Sequence, residues 1–312
     1  GANNTAVGDN SLAANTTGDQ NTAVGSNCLD SNTTGDANTG VGRNCLEANT
    51  TGEHNVGVGF NALQGNTSGN RNTAIGLQSL DDNTTANDNT AVGYRSLYLN
   101  TTGDLNTAVG ASALYSNVSG DRMVAVGYEA LYNSNVSADT FNVAVGYQAG
   151  RATTTGYNNT FLGGEAGKNN TTGINNVCIG VNSESVSGSS SNQFTLGNSS
   201  TTTLRCNDTS IGSLSDERDK TEIIDLPIGL DFINKVRPVK FKWASRDGKQ
   251  GKDGTYEAGF IAQEFQSVES STSVDYLNLV LDDNPDKLEA RPNKLFPVLV
   301  KAIQELSAKV TA

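Results

Sequence analysis

The sequence predicts a mainly β protein in two parts, a parallel β-solenoid followed by a smaller α+β domain that ends in a helix. Three observations support this prediction. A short motif returns every 17 residues through most of residues 1–191. All five prolines and the single tryptophan lie beyond residue 215. Hydrophobic residues make up only 35% of the 312 residues, too few for one conventional core throughout.

The repeat has a fixed arrangement of columns. One column holds a β-branched residue or Leu in every copy, and a Gly follows it each time. A later column holds Leu from Leu12 to Leu131 and becomes Gly150 and Gly167 in the next two copies. Asn-Thr-Thr-Gly or a variant then predicts a turn. The motif Asn-Thr-Ala-Val-Gly or a variant of it begins at residues 4, 21, 38, 55, 72, 89, 106, 123, 142, 159 and 176, with one 19-residue step.

Each copy is expected to contain about two short strand segments and two turns. Its two or three apolar side chains are too few to offset the entropy of ordering 17 residues. The copies must therefore stack as coils of a solenoid, ~4.8 Å apart. Since so thin a solenoid has little interior of its own, we expect neighbouring chains to bury the remaining apolar columns in a homotrimer.

Composition excludes several classes of function. The net charge of −12 argues against binding to nucleic acid or an anionic membrane, and no apolar run approaches the length of a membrane span. The four cysteines lack paired spacing, so neither a zinc site nor a disulfide framework is expected, and no metal or cofactor. His54, the only histidine, lies in a repeat turn, which argues against a His-based triad. Because residue 1 is Gly, we expect a fragment of a longer protein.

Six tyrosines depart from the repeat. A surface rich in tyrosine suits contacts with a host receptor, glycan or protein, although packing between coils explains the same residues equally well. The Asp and Glu residues lie mostly in variable turns and form no isolated pair, which argues against an enzyme that hydrolyses glycans. The tyrosines are Tyr94, Tyr98, Tyr115, Tyr128, Tyr132 and Tyr147.

Residues 192–214 are interpreted as a connector in which residues 193–197 and 202–206 form short strands that close the solenoid. Beyond it the apolar periodicity changes. The expected elements are a helix opened by Pro227, a strand at 239–243, a charged loop at 246–254, strands at 257–262 and 276–281, and a final helix capped by Asn293.

The final helix has two interpretations, which we leave open here. Apolar residues recur along it at spacings of 4, 3, 4 and 4, which is typical of a short coiled-coil seam about a trimer axis. Alternatively, the helix packs on its own domain. The residues are Leu295, Leu299, Ala302, Leu306 and Val310.

The candidate chemistry lies at the junction of the two parts, where Ser215 precedes Lys220 by five residues. A serine hydroxyl needs a base to become a nucleophile, and a desolvated lysine with a lowered pKa can serve. Five residues along a regular helix would place the two side chains about 140° apart, so a working dyad requires a turn. The alternative is a charged linker.

Four segments carry a resemblance to a known family. They are Ser215-Asp216-x-Arg218-x-Lys220, Val239-x-Phe241-x-Trp243, residues 259–264 (GFIAQE) and residues 297–306 (PVLVKAIQEL). In this order, over residues 215–312, they resemble the C-terminal intramolecular chaperone of phage tailspikes and tail fibres, including the endosialidases. The 17-residue repeats resemble the left-handed β-roll of YadA-type trimeric adhesin heads.

The resemblance implies a self-cleaving chaperone. Such a domain drives trimerisation of the fibre ahead of it and then cuts itself off between Leu214 and Ser215. It implies that Ser215 is the nucleophile, that Lys220 is its general base and that Asp216 and Arg218 organise the site. The enzyme would be a serine endopeptidase that turns over once, on its own chain only.

The expected protein is therefore a homotrimeric tail fibre or appendage of a virion, assembled in the host cytoplasm. Its repeats would be structural and would contact a host receptor. The alternative is a structural trimeric adhesin whose C-terminal cap trimerises but does not cleave.

Overall fold

The computed structural model describes residues 1–137, 139–201, 203–205, 215–244, 256–282 and 288–311. The chain forms two compact units, Gly1–Leu204 and Arg205–Ala312.

The first unit is a parallel β-solenoid with one short strand per coil, which confirms the predicted fold. Twelve strands form one sheet in chain order, and each residue pairs with its equivalent 17 or 19 residues on. The predicted strand at 193–197 continues the sheet as β12, whereas residues 202 and 206 of its expected partner lie outside the described residues. The strands are β1 (Thr5–Val7), β2 (Thr22–Val24), β3 (Thr39–Val41), β4 (Val56–Val58), β5 (Thr73–Ile75), β6 (Thr90–Val92), β7 (Thr107–Val109), β8 (Val124–Val126), β9 (Val143–Val145), β10 (Thr160–Leu162), β11 (Val177–Ile179) and β12 (Phe194–Leu196).

The prediction of a second strand segment in each coil is wrong, because the leucine column has left-handed backbone. The φ angles from Leu12 to Leu131 in this column lie between 49° and 55°. The backbone still bonds to the next coil, since the Leu29 N–H donates to the Cys45 carbonyl at 3.0 Å. A left-handed conformation costs a non-glycine residue about 1–2 kcal/mol. Burying a leucine side chain offsets this, since it contributes about 1.5–3 kcal/mol.

Two ladders of asparagines, buried in every coil except the first, run beside the hydrophobic column. In the first ladder the Asn38 Nδ2 donates to the Gly52 carbonyl at 2.8 Å, and its Oδ1 accepts from the Asn55 backbone N–H at 3.0 Å. In the second, the Asn49 Nδ2 donates to the same Gly52 carbonyl at 3.1 Å and to Asn32 Oδ1 at 2.8 Å. Each amide is thus satisfied mainly by the coils beside it, which offsets the cost of burying it. The ladders comprise Asn4, Asn21, Asn38, Asn55, Asn72, Asn89, Asn106, Asn142, Asn159 and Asn176, and Asn15, Asn32, Asn49, Asn66, Asn83, Asn100, Asn117 and Asn170.

The ninth and tenth coils carry different core residues, and a larger side chain at one position compensates for smaller ones at another. Where the leucine column becomes Gly150 and Gly167, the buried alanine of the strand becomes Phe161. A Cβ on Gly167 would lie 2.1 Å from the Phe161 ring, and one on Gly150 would lie 2.6 Å from it. The aromatic ring therefore fills the space that two leucines occupy elsewhere. Both glycines keep the left-handed conformation, with φ of 61° and 58°.

The cysteines of the solenoid pack as small buried residues. A Cβ on Gly40 would lie 2.5 Å from Cys28 Sγ, and one on Gly57 would lie 2.5 Å from Cys45 Sγ, so each thiol occupies space that an alanine would take in the next coil. Cys178 is also buried, and burial raises the pKa of its thiol to about 11. Cys206 lies outside the described residues.

The strands leave an exposed apolar stripe, which we call the strand-face ladder. The central Ala23 of β2 is fully buried, whereas Val24 beside it is 37% exposed. The same alternation recurs along the sheet because successive residues of a strand point to opposite faces. Its exposed members include Val7, Val24, Val41, Ile75, Leu162 and Leu196.

The second unit is a small α+β domain around a separate core. Its elements are α1 (Leu230–Ile233), β13 (Val239–Phe241), β14 (Glu257–Gly259), α2 (Ala262–Thr272), β15 (Val280–Leu281), β16 (Glu289–Ala290) and α3 (Phe296–Thr311). Two antiparallel hairpins form, β13 with β14 and β15 with β16, and the second of them packs against α2. In the described parts of the chain, none of the helices has both the length and the apolar character that a bilayer crossing demands.

Several predicted boundaries in this unit are wrong. The helix expected from Pro227 begins only at Leu230 and has four residues. The strand expected at 257–262 stops at Gly259, because α2, which was not predicted, begins at Ala262. The strand expected at 276–281 shrinks to β15, preceded by a 3₁₀ turn at Asp275–Leu277. The loop expected at 246–254 lies outside the described residues.

The last helix combines both interpretations on two different faces. Leu295 in the preceding 3₁₀ turn (Pro292–Leu295), together with Val298 and Ala302, is buried in its own domain. Two of the five residues of the predicted seam, Leu295 and Ala302, therefore do not belong to an outer seam, and Asn293 lies in the turn and does not cap the helix. A second apolar row remains exposed at spacings of 3, 4, 3 and 4, and we call it the outer seam: Phe296, Leu299, Ile303, Leu306 and Val310.

Replacement of one ladder asparagine tests the ladders. We expect Asn55→Ala to lower the free energy of unfolding by about 1–3 kcal/mol, because the Asn72 N–H and the Gly69 carbonyl each lose a buried partner. The matched control Glu53→Ala, an exposed neighbour, should change it by less than about 0.5 kcal/mol. Urea denaturation of both variants measures the difference, and equal effects would contradict the ladder's role.

A double substitution tests the compensated core. Gly167→Leu should destabilise the solenoid by about 1–3 kcal/mol or more, because its Cβ meets the Phe161 ring. Phe161→Ala alone should cost about 3–5 kcal/mol. Together they restore the alanine and one of the two leucines of the other coils, with Gly150 unchanged, so the double variant should be more stable than the sum of the single effects predicts. Simple additivity in a double-mutant cycle would show that the two positions do not share one space.

Candidate active site

The candidate site is a single tight turn at the start of the described part of the second unit. A 3₁₀ turn spans Glu217–Asp219, and Asp216 caps it by accepting the Arg218 backbone N–H at 2.9 Å. Aspartate is favoured at this position because its carboxylate satisfies an N–H that the turn leaves free. The Lys220 N–H donates to the Glu217 carbonyl at 3.1 Å and ends the turn, and Lys220 itself is extended.

This turn brings the serine and the lysine together. Lys220 Nζ lies 2.6 Å from Ser215 Oγ and 3.2 Å from the Ser215 carbonyl oxygen, with the ammonium as donor to both. The chain needs such a turn because a regular helix would hold the two side chains far apart. A 3₁₀ turn has about three residues per turn and reverses the chain within this short segment.

Asp216 and Arg218 form a two-pronged ion pair across the turn. Arg218 Nε lies 3.0 Å from Asp216 Oδ1, and Nη2 lies 2.6 Å from Oδ2. The guanidinium holds the pKa of the Asp216 carboxyl below its usual range, and the carboxylate raises the pKa of Arg218. Because both side chains are solvent-exposed, the pair itself adds little stability. Both contacts of the pair lie within the turn that holds Ser215 and Lys220.

Both members of the dyad are exposed in the single chain. Leu214, the predicted residue before the cleaved bond, lies outside the described residues, and so do residues 206–213. The structure therefore brings together four of the five predicted site residues. A lysine accepts a proton only when neutral, and exclusion of water favours that form.

The comparison with known families concerns this same segment. Residues 215–274 match the family model Peptidase S74, described as the chaperone of endosialidase, and the match begins at Ser215. The region after the repeats is a chaperone domain of the tailspike type. No curated protein and no solved structure matches the chain. The match ends at Val274, so the segment 297–306, which we included in the resemblance, lies beyond it.

The other motif segments make contacts within the chaperone domain, and those described below lie between its strands and helices. Phe241 and Trp243 pack edge to face with ring centres 5.3 Å apart. A Cβ on Gly259 would lie 3.0 Å from the Phe241 ring, so glycine leaves room for that ring across the hairpin. Glu264 on α2 pairs with Arg237, whose Nε lies 3.1 Å from Glu264 Oε2.

Two carboxylates that stabilise the domain were not predicted. Glu269 is buried and accepts the Leu279 N–H at 2.7 Å, and Glu305 accepts the Leu230 N–H at the start of α1 at 2.8 Å. The sequence does contain a signal for each. Glu269 follows the buried Phe265 by four residues and Glu305 follows the buried Ala302 by three, so helical spacing places each acid on an inward face.

Proposed function

We propose that this chain is a tail-fibre or appendage protein of a phage-type virion whose chaperone domain assembles the homotrimer and then cleaves itself off between Leu214 and Ser215. The observation that carries the proposal is the 2.6 Å contact between Lys220 Nζ and Ser215 Oγ at the first residue of the family match. A β-solenoid followed by a chaperone of endosialidase domain is typical of trimeric tail-fibre-like proteins. In this proposal the repeats form the lasting fibre and attach it to a host receptor.

The proposed cleavage uses the position of the serine directly after the cleaved bond. Neutral Lys220 takes the hydroxyl proton, and Ser215 Oγ attacks the carbonyl carbon of Leu214. The C–N bond breaks, Lys220 returns the proton to the Ser215 nitrogen, and an ester joins Leu214 to Ser215 Oγ. Water then hydrolyses the ester, which leaves a carboxylate on Leu214 and a free amino group and hydroxyl on Ser215.

Exposed apolar surface supports the trimer. The outer seam of α3 presents five apolar side chains at the spacing of coiled coils, and Ile303 is 66% exposed. The strand-face ladder exposes a second apolar row along the solenoid. Contiguous apolar surface of this kind marks an interaction site in a protein that folds in water.

Trimerisation also accounts for how the dyad becomes active. Ser215 and Lys220 are exposed in one chain, whereas a lysine base requires exclusion of water. We therefore place the missing cover on the neighbouring chains, so that cleavage follows correct assembly. Removal of the chaperone would then leave a fibre that cannot readily refold once unfolded. Its stability would therefore be set by its rate of unfolding.

Self-cleavage is tested by two substitutions and two matched controls. Wild-type chain should yield a fragment whose N-terminal residue is Ser215, whereas Ser215→Ala and Lys220→Gln should remain full length because one loses the nucleophile and the other the base. Ser267→Ala and Lys235→Gln, which alter exposed residues outside the site, should cleave as wild type. A denaturing gel followed by N-terminal sequencing of the fragment measures the result.

Intact wild-type chain in a verified trimer would contradict the proposal. That outcome would favour the alternative function, a structural trimeric adhesin with an inert cap, because both functions share the trimer and differ only in cleavage.

Trimer assembly is tested on the outer seam. Ile303→Lys should convert the trimer to monomer and abolish cleavage, because it places three charges at one apolar contact. Gln304→Lys, its exposed neighbour on α3, should leave both unchanged. Sedimentation equilibrium gives the mass, with circular dichroism to show that the monomer remains folded. A cleaving Ile303→Lys monomer would separate cleavage from assembly and contradict the link between them.

A further inference from the structure

Two cysteines occupy the same column of the solenoid in consecutive coils. Cys28 and Cys45 are 17 residues apart, which is one repeat, so the stacking of the coils places one cysteine over the other. Both are fully buried free thiols. The other residues of this column, from Ser11 to Ser183, are all Ser or Ala, so the fold itself does not require a thiol at either position.

The two sulfur atoms take equivalent positions within their coils. A Cβ on Gly40 would lie 2.5 Å from Cys28 Sγ, and a Cβ on Gly57 would lie 2.5 Å from Cys45 Sγ. Because these surroundings repeat, the two sulfur atoms are related by the step from one coil to the next. They are therefore separated by ~4.8 Å, the spacing of the coils.

Gly40 leaves open the space between the two sulfur atoms. A Cβ at this position would lie 2.5 Å from Cys28 Sγ and 3.7 Å from Cys45 Sγ, and therefore between them. Most other coils have a buried alanine here, such as Ala23 and Ala74. Glycine weakens a strand because it brings no side chain to pack. At this position it provides a space beside both sulfur atoms that a methyl group would fill.

The spacing of the sulfur atoms favours a bridging metal ion over a disulfide. A disulfide requires Cβ atoms about 3.5–4.5 Å apart, closer than the coil step of ~4.8 Å. Bonds from a thiolate to a metal ion are about 2.3 Å long, so two bonds on opposite sides of one ion span about 4.6 Å. Zinc requires four ligands, and within the described residues no group of three or more His, Cys, Asp and Glu is placed to hold a metal ion.

We infer that Cys28 and Cys45 bind one soft monovalent cation of the copper(I) class, in a two-coordinate site between the second and third coils. Soft thiolate ligands select copper(I). Both sulfur atoms bond to the ion as thiolates, and their two protons leave to the solvent. The backbone of Val24 hydrogen-bonds to Cys28 and that of Val41 to Cys45, which favours the thiolate form of each.

Such an ion joins two coils directly. It binds only where the coils are stacked, since the unfolded chain does not hold the two thiols together, and so it stabilises the folded solenoid. The site lies within the repeats and uses none of the residues of the proposed cleavage, so its test and the test of cleavage give independent results.

Silver(I), an air-stable ion of the same class, is the probe. The full-length Ser215→Ala chain also carries Cys178→Ala and Cys206→Ser, which remove the other two thiols. Native mass spectrometry of this reference chain should count one silver ion per chain and no zinc ion. At a hundredfold excess of free silver over the dissociation constant, the unfolding temperature should rise by about 5 °C or more.

Two matched glycine substitutions locate the site in the reference chain. Gly40→Ala places a methyl group between the sulfur atoms and should weaken silver binding at least about tenfold. Gly57→Ala also places a Cβ 2.5 Å from a thiol, but on the far side of Cys45, and should retain the affinity. Cys45→Ser removes one ligand and should abolish the two-coordinate site, and the solenoid already carries Ser79 in this column. Competition with a soluble dithiol measures each affinity, and thermal melts verify that each variant is folded.

Four results would each overturn the inference. They are a folded reference chain that binds no silver, reference affinity in Gly40→Ala or in Cys45→Ser, an equal loss of affinity in both glycine variants, and a reference chain that is two protons lighter because a disulfide joins the two cysteines.

Discussion

The solenoid depends on buried asparagines whose hydrogen bonds are completed mainly by the neighbouring coils. Asn38 makes this plain, since its amide bonds both the Gly52 carbonyl and the Asn55 backbone N–H of the following coil. An isolated coil would leave these groups unsatisfied and would bury too few apolar atoms to compensate. The coils are therefore stable only together, and the leucine, glycine and alanine columns are arranged around the two ladders.

Such dependence on neighbouring coils has a consequence for folding. The coils are nearly identical, so pairing displaced by one coil satisfies almost the same hydrogen bonds as the native pairing. Contacts between the three chains of the proposed trimer would add further non-local steps, which slow folding. Exceptions to the repeat oppose such slips. Met123 interrupts the first asparagine ladder, and Phe161 fits only between Gly150 and Gly167. In the proposed trimer, a chaperone domain that aligns the chain ends would address the same problem from outside the repeats.

In the chaperone domain, the candidate site and the hydrophobic core are formed by different elements. Ser215 and Lys220 lie on one short turn that Asp216 caps, whereas the helices and the β15–β16 hairpin form a core around Phe232, Phe265 and Leu279. Glu269 of α2 accepts the Leu279 N–H, and Glu305 of α3 accepts the Leu230 N–H at the start of α1, so each carboxylate joins its helix to a distant segment. A site built on an exposed turn depends on its surroundings to exclude water, which is consistent with the proposal that cleavage follows assembly.

The sequence by itself determined the parallel solenoid and the chaperone domain that follows the repeats, because periodicity and a local motif are encoded within a few residues. It singled out Ser215 and Lys220, but their contact depends on a 3₁₀ turn that the sequence alone did not establish. It did not determine the left-handed backbone of Leu29 and its equivalents, because burial in stacked coils overrides a local preference. Nor did it determine α2 or the division of α3 into two faces, since short apolar segments are compatible with strand and helix alike. Only tertiary contacts decided these features, by fixing which side chains are buried and which hydrogen bonds are completed.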